Sequence, residues 1–259
     1  MNKTTFALRI ALPAVVALAT VPLAAEDYVQ FSTGIDYSSG DYGDVADTEM
    51  LAIPFSLKYQ ADDFYLRASV SYLDVKGPDG LVPGEGGVTP GTPGGAITSR
   101  SGIGDVNLAA GYSLFLGGRT YFDAVAKVKL PTASESKFLG TGSTDFTLQG
   151  ELLQGLSDQV SIGLIGGRRF NGSSDLFQLE DVWLAGGGLY YTGEAVTLGL
   201  DYEWREGSTA TAPDISEATA SLTYKLNDAL RLQGYGYTGF ADGSPDLGGG
   251  LQLLYRFGQ

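Results

Sequence analysis

Two carboxylates, Asp201 and Glu203, stand two residues apart in the stretch GLDYEWR. On a strand that spacing puts both on one face, about 7 Å apart, which is a residue set fit for general acid–base work. A second set lies in RTYFDAVAKVKLP (119–131), where Asp123, Lys127 and Lys129 share one register. A lysine beside a serine can also activate a nucleophile. A third set is DYGDVAD, whose Asp41, Asp44 and Asp47 offer the oxygen ligands that Ca²⁺ and Mg²⁺ prefer. Against all three stands a chain of 259 residues with no His and no Cys. That composition removes the usual base near neutral pH, the commonest metal ligand, disulfides and thiolate chemistry. Ordinary charges on a strand face explain Asp201 and Glu203 better than a catalytic pair does. DYGDVAD lacks a full calcium-loop pattern and reads as a solvated loop. No enzyme, metal or cofactor is expected.

The elements that position these charges are strands. In 119–131 one register reads Arg, Tyr, Asp, Val, Lys, Lys and the other Thr, Phe, Ala, Ala, Val, Leu. Successive strand side chains point to opposite faces, so this strand has a charged face and a greasy one. The two-residue period dominates after Glu26 and predicts about twelve strands. The first six run 28–38, 49–60, 64–75, 104–116, 120–132 and 144–153. The other six run 159–170, 179–191, 195–205, 216–226, 230–240 and 247–257. Short turns such as 61–63, 117–119 and 227–229 alternate with longer loops such as 39–48, 133–143 and 206–215. The Gly- and Pro-rich loop 76–102 reads as a linker by composition; the alternative is a segment folded into the mouth as a constriction.

Two architectures accept such alternation. A soluble sandwich turns the apolar faces inward, and a membrane barrel turns them out to lipid around a polar interior. Alternating loop lengths favour the barrel. So do aromatic residues near strand ends on the apolar register, among them Tyr37, Tyr59, Tyr202, Trp204 and Tyr255, which match interfacial girdles. The expected fold is therefore all-β, an antiparallel up-and-down transmembrane β-barrel, with both termini on the short-turn side. Its candidate lumen-lining residues are Arg67, Asp123, Lys127, Lys129, Asp145, Glu151, Arg169, Asp201 and Glu203. Opposite charges on adjacent strands are expected to pair.

The first 25 residues have the form of an export signal. Lys3 and Arg9 precede a short apolar core, and small residues lead up to Ala25. Cleavage there leaves 26–259 as one barrel domain and takes the formal charge from −14 to −16. An acidic chain repels phosphate backbones, which excludes nucleic acid as a partner. The lipids of an outer membrane of a Gram-negative bacterium and a small-molecule solute remain as partners.

The stretch KVKLPTASESKFLGTGSTDFTLQGEL carries Lys129, Leu130, Pro131 and Thr132, then Gly140, Gly142 and Asp145. With GIGDVNLAAGY (102–112), it resembles the outer-membrane barrel family described as putative MetA pathway of phenol degradation, whose members are called transporters. The resemblance implies a barrel that passes small, hydrophobic or aromatic compounds. It supplies no catalytic or binding residues. From the residues alone, Pro131 ends regular pairing, the glycines permit turn conformations, and Lys129 is expected to pair with Asp145 at the lumen mouth. The expected function is a channel for passive uptake. The alternative is a structural or adhesive barrel whose acidic loops bind a surface partner.

Overall fold

The computed structural model describes residues 27–82 and 95–257. The segment expected to be an export signal, residues 83–94 of the long loop and residues 258–259 lie outside them. Thirteen strands are present: β1 Tyr28–Gly40, β2 Thr48–Ala61, β3 Phe64–Pro78, β4 Ile97–Ile103, β5 Val106–Gly117, β6 Thr120–Leu130, β7 Asp145–Gly155, β8 Val160–Phe170, β9 Val182–Thr192, β10 Val196–Arg205, β11 Ile215–Lys225, β12 Leu230–Gly239 and β13 Leu247–Phe257. One short 3₁₀ turn, Glu135–Lys137, sits between β6 and β7.

Except for β4 and β5, each strand pairs antiparallel with its neighbours in sequence, and β1 pairs with β13 from Val29↔Phe257 to Ser39↔Leu247, which closes the sheet. Both β4 and β5 pair with β3, at Tyr72↔Ile103 and Ser69↔Asn107. They are two segments of one strand broken at Gly104–Asp105, where Gly104 N–H donates to Ser71 O at 2.8 Å. The barrel is thus a closed twelve-strand antiparallel barrel. Closure pairs every strand on both sides except β4, which pairs with β3 alone, and paired edges are what hydrocarbon surroundings require.

The faces sort as the alternation predicts. Along β2, Thr48, Ala52, Ser56 and Lys58 are buried, while Leu51, Phe55, Leu57 and Tyr59 are exposed. The exposed face is therefore the outer, lipid-facing one, and the polar face lines the interior. Tyr37, Tyr59, Tyr224 and Tyr255 stand on the outer face near strand ends, and Tyr72 and Tyr112 stand on it nearer mid-strand. Trp183 at the start of β9 and Trp204 near the end of β10 lie at the long-loop end, and both alternate with inner-face residues.

Loop 76–102 departs from the linker expected of its composition. Its described parts are paired: β3 runs on to Pro78, and β4 returns along it from Ile97 to Ile103. Leu81 and Val82 are buried at 1% exposure. Apolar side chains within the segment supply what a Gly/Pro count overlooks, a face to bury against other loops. Likewise β9 begins at Val182 and not at 179, because Phe177 and Leu179 are buried in a loop cluster ahead of the strand.

Candidate functional site

All nine of the predicted interior residues fall on the inner face. Arg67 lies on β3, Asp123, Lys127 and Lys129 on β6, Asp145 and Glu151 on β7, Arg169 on β8, and Asp201 and Glu203 on β10. The expected pairing of opposite charges holds at one place in register among the described inner-face residues, Lys129↔Asp145. There Nζ and Oδ2 are 2.6 Å apart, with side chains 13% and 3% exposed. Lys129 also donates to Thr141 Oγ1 at 2.8 Å and lies 3.8 Å from Asp105.

Elsewhere the register sets like charges side by side. Lys58 faces Arg67, Asp123 faces Glu151, Glu203 faces Glu217, and Lys225 faces Arg231. Like charges directly opposite destabilise a sheet, so this corrects the expectation of cross-strand pairing. Longer-range contacts offset part of the cost: Lys127 interacts electrostatically with Glu151 and Glu203 as well as with Arg67.

The motif around Lys129 builds the mouth. After Pro131, Thr132 Oγ1 accepts from Val106 N–H at 2.8 Å and donates to Gly104 O at 3.2 Å. Asp105 Oδ1 accepts from Ala133 N–H at 2.9 Å. These bonds turn the β6–β7 loop inward. Gly140 lies where a Cβ would come within 2.7 Å of Asp105 Oδ2, and Gly142 takes a φ of +71° that other residues rarely adopt. Leu139, 3% exposed, then packs on Ala52, Leu73 and Val75. A second apolar cluster joins Val82, Phe177 and Leu179 with Phe138 and Ala212, from four different loops. Phe138 and Phe177 meet edge to face with ring centroids 6.4 Å apart. Ser174 hydrogen-bonds Glu135, and Asp145 Oδ1 accepts from Gly172 N–H, which ties the β8–β9 loop to the β6–β7 loop.

Under these loops lies a cavity of about 180 Å³. Its lining includes the apolar residues Met50, Ala52, Leu73, Val82, Leu139 and Ile215. Charged residues are interspersed among them: Asp36, Asp105, Lys127, Lys129, Asp145, Arg169 and Glu217, with Asp36 directly beside Ala52 in register. Tyr42 closes one side; burial pushes its hydroxyl up to about 12, so it stays neutral at physiological pH.

Sequence reasoning missed a group centred on Asp36 of β1. Asp36 accepts hydrogen bonds from Tyr235 at 2.8 Å and Tyr237 at 3.0 Å, across β13. The rings reach Asp36 because β13 offers Gly248 and Gly250 beneath them; a Cβ on Gly248 would lie 2.2 Å from the Tyr237 ring. Tyr190 likewise hydrogen-bonds Asp201, and Glu217 completes the carboxylates of this side. The signal was present: β12 reads Gln233, Tyr235, Tyr237 on one register and glycine at 234 and 236 on the other, so these tyrosines are interior residues and not girdle. In the acidic loop 41–47 the Asp41 and Asp44 carboxylates bond to their own backbone. Asp41 caps Gly43 N–H at 2.8 Å, and no three carboxylates converge among the described residues.

The architecture is similar to that of solved outer-membrane channels and porins. No protein-family model matches the sequence, and no curated protein does. In solved structures, the barrel is similar to an outer-membrane channel from Pseudomonas putida F1, with a TM-score of 0.67, 14% identity, and 92% of this chain and 100% of that one covered. The NanC porin follows at a TM-score of 0.58 and 9% identity, covering 88% of this chain and 99% of that one. The KdgM porin, in complex with disordered oligogalacturonate, has a TM-score of 0.54 and 11% identity over 86% of this chain and 99% of that one. These likenesses are to channels and porins rather than enzymes, and at such identities they establish the fold.

Proposed function

We propose that this chain is an outer-membrane channel for passive uptake of small solutes, hydrophobic and aromatic compounds among them, exported through cleavage of residues 1–25. The observation that carries the reading is the cavity beneath the mouth. A cavity of about 150 Å³ lined by apolar side chains is enough to hold benzene, and the one here is about 180 Å³ with apolar and charged side chains mixed in its lining. Such a site suits a small ring with a polar substituent. The inward loop that forms its roof is the same stretch that resembles the phenol-degradation transporter family, which supports membership of that family. The adhesive alternative is weakened by the loops themselves: Val82, Phe177 and Leu179 turn in and pack on one another instead of outward to a partner.

The test is uptake of a small phenolic compound and of a disaccharide by proteoliposomes. The phenol is expected to enter faster than through protein-free membranes, and the disaccharide is not. Leu139→Asp, which breaks the roof, is expected to admit the disaccharide. A folded protein that changes neither flux rules out the channel.

A further inference from the structure

The cations that line the cavity beneath the mouth are all engaged. Lys129 is ion-paired with Asp145, Lys127 interacts with Glu151 and Glu203, and Arg169 has partners of its own. The carboxylates are not matched in the same way. Four of them, Asp36, Asp105, Asp145 and Glu217, stand against those three cations. Asp105 and Asp145 share Lys129, at 3.8 Å and 2.6 Å. No basic residue is ion-paired with Asp36 among the described residues. Its partners are neutral: Tyr235 donates to Oδ2 at 2.8 Å and Tyr237 to Oδ1 at 3.0 Å. Yet Asp36 is only 4% exposed, and buried carboxylates ordinarily have a cation or a metal beside them. The two hydroxyls fill two of about four acceptor positions and bring no compensating charge. Glu217 is a second carboxylate of this kind. It faces Glu203 in register, and its electrostatic neighbours are Glu203, Asp36 and an Arg205 that it shares with Glu203.

Around these two carboxylates the cavity offers aromatic and apolar surface. Tyr42 and Tyr237 line it, and Tyr42 lies within the field of both Asp36 and Glu217. In register with Asp36, the next two strands bring Ala52 and then Leu73. Leu139 packs down on both from the roof. A buried carboxylate, tyrosine rings and an apolar floor are the parts that recognise an organic ammonium ion. The charge takes the head, the aromatic surface favours a cation, and the apolar side chains take the body. A hard metal ion fits less well, because it takes about six or more oxygen ligands, and no three carboxylates converge among the described residues. The rim agrees in sign. The lining reaches the β1–β2 loop at Tyr42 and the β12–β13 loop at Pro245. Those loops read DYGDVAD and FADGSPD, with five aspartates and no basic residue. Charge of one sign around an opening raises the local concentration of the opposite ion.

We propose that Asp36 anchors a site for small organic ammonium ions with an apolar body, with Glu217 as its second carboxylate and Ala52, Leu73 and Leu139 against the body. The inference rests on the channel reading above for the route by which such cations enter and leave, and it narrows the class of solute; binding itself needs only the cavity. Tyr235 and Tyr237 act as positioning residues, since they hold the Asp36 carboxylate from the β12 side.

The experiment is equilibrium dialysis of labelled benzylammonium against the whole mature protein in micelles of a neutral detergent, with protein-free micelles as background. Benzyl alcohol and benzoate, of like size and different charge, are run beside it. Benzylammonium is expected to bind saturably, about tenfold tighter than benzyl alcohol, as one charge-assisted hydrogen bond implies, with benzoate at background. Asp36→Asn is expected to abolish that preference. Glu217→Gln is expected to lose part of it, which keeps the assignment testable should Asp36→Asn fail to fold. Equal binding of benzylammonium and benzyl alcohol, or uptake no greater than by empty micelles, overturns the ammonium site. Folded variants that keep the full preference overturn its assignment to these carboxylates. Flux is read separately in proteoliposomes. Saturable, Asp36-dependent binding without entry of benzylammonium or of a phenol upholds the site and overturns the channel reading; entry of the phenol without any benzylammonium binding does the reverse.

Discussion

At the scale of single residues, Lys129 and Asp145 are the sharpest case. Both are enclosed, and removing one partner leaves the other charge in a poor solvent. Lys129→Met is expected to cost about 3 kcal/mol, and the double change Lys129→Met with Asp145→Asn less than the sum of its parts, since breaking a buried pair is worse than removing it whole. Urea titration of the four proteins in detergent checks this; strict additivity would show that the 2.6 Å contact carries no coupling. Gly142 is a second case. Its φ of +71° and the nearness of Glu135 leave no room for a side chain. Gly142→Ala is expected to cost about 1–2 kcal/mol and to loosen the β6–β7 loop, read as faster cleavage there by an added protease with barrel resistance retained. Tyr42 gives a pH test. Its folded-state value of about 12 lies above the ordinary value of 10.0, so the neutral form is the folded one. Its contribution is intact below pH 10 and is lost as pH rises from 10 toward 12, and protease sensitivity of the β1–β2 loop should follow that window. Tyr42→Phe is expected to flatten the response.

At the scale of elements, the strands were legible because lipid outside and water inside impose opposite demands on alternate residues. The stretch 119–131 shows its two faces without any neighbour being known. Register was not legible, and it decides what the charges do. Nothing local in KVK or in SLKYQ says that Lys58 will face Arg67, or that Asp123 will face Glu151. Those adjacencies follow from hairpin turn lengths summed around the wall, where one residue of slip would alter every pair. The tyrosines of β12 drew no notice as site residues for a related reason. Aromatic residues mark the interface only when their register faces lipid, and Tyr235 and Tyr237 face in because Gly250 and Gly248 of the next strand make room. Gly248→Val is therefore expected to displace Tyr237 from Asp36 and to destabilise the barrel by about 1–3 kcal/mol, the usual cost of overpacking. The heat needed to shift the folded band on an unboiled gel would fall. An unchanged band would mean that the ring has another place to lie.

At the scale of the whole molecule, charge is divided between inside and outside. The chain is acidic overall at −14, yet most of its described basic side chains, Lys58, Arg67, Lys127, Arg169 and Arg256 among them, face inward, and carboxylates dominate the loops. Net charge alone thus says little about what the lumen attracts. The roof adds a second division, since four loops from different hairpins share one apolar cluster. Loosening any one of them should loosen the rest, so Phe177→Ala is expected to expose the β6–β7 and β10–β11 loops together to hydrogen exchange; exchange confined to the β8–β9 loop would show independent loops. The two tryptophans make a further use of this asymmetry available. Trp183 and Trp204 both sit at the long-loop end of the wall, while the interior is furnished with tyrosine. Indole emission from this protein is consequently a one-leaflet optical gauge. Bromine placed at graded depths in the acyl chains of the far leaflet would dim it as the hairpins finish crossing, so the last step of insertion could be timed without attaching a dye.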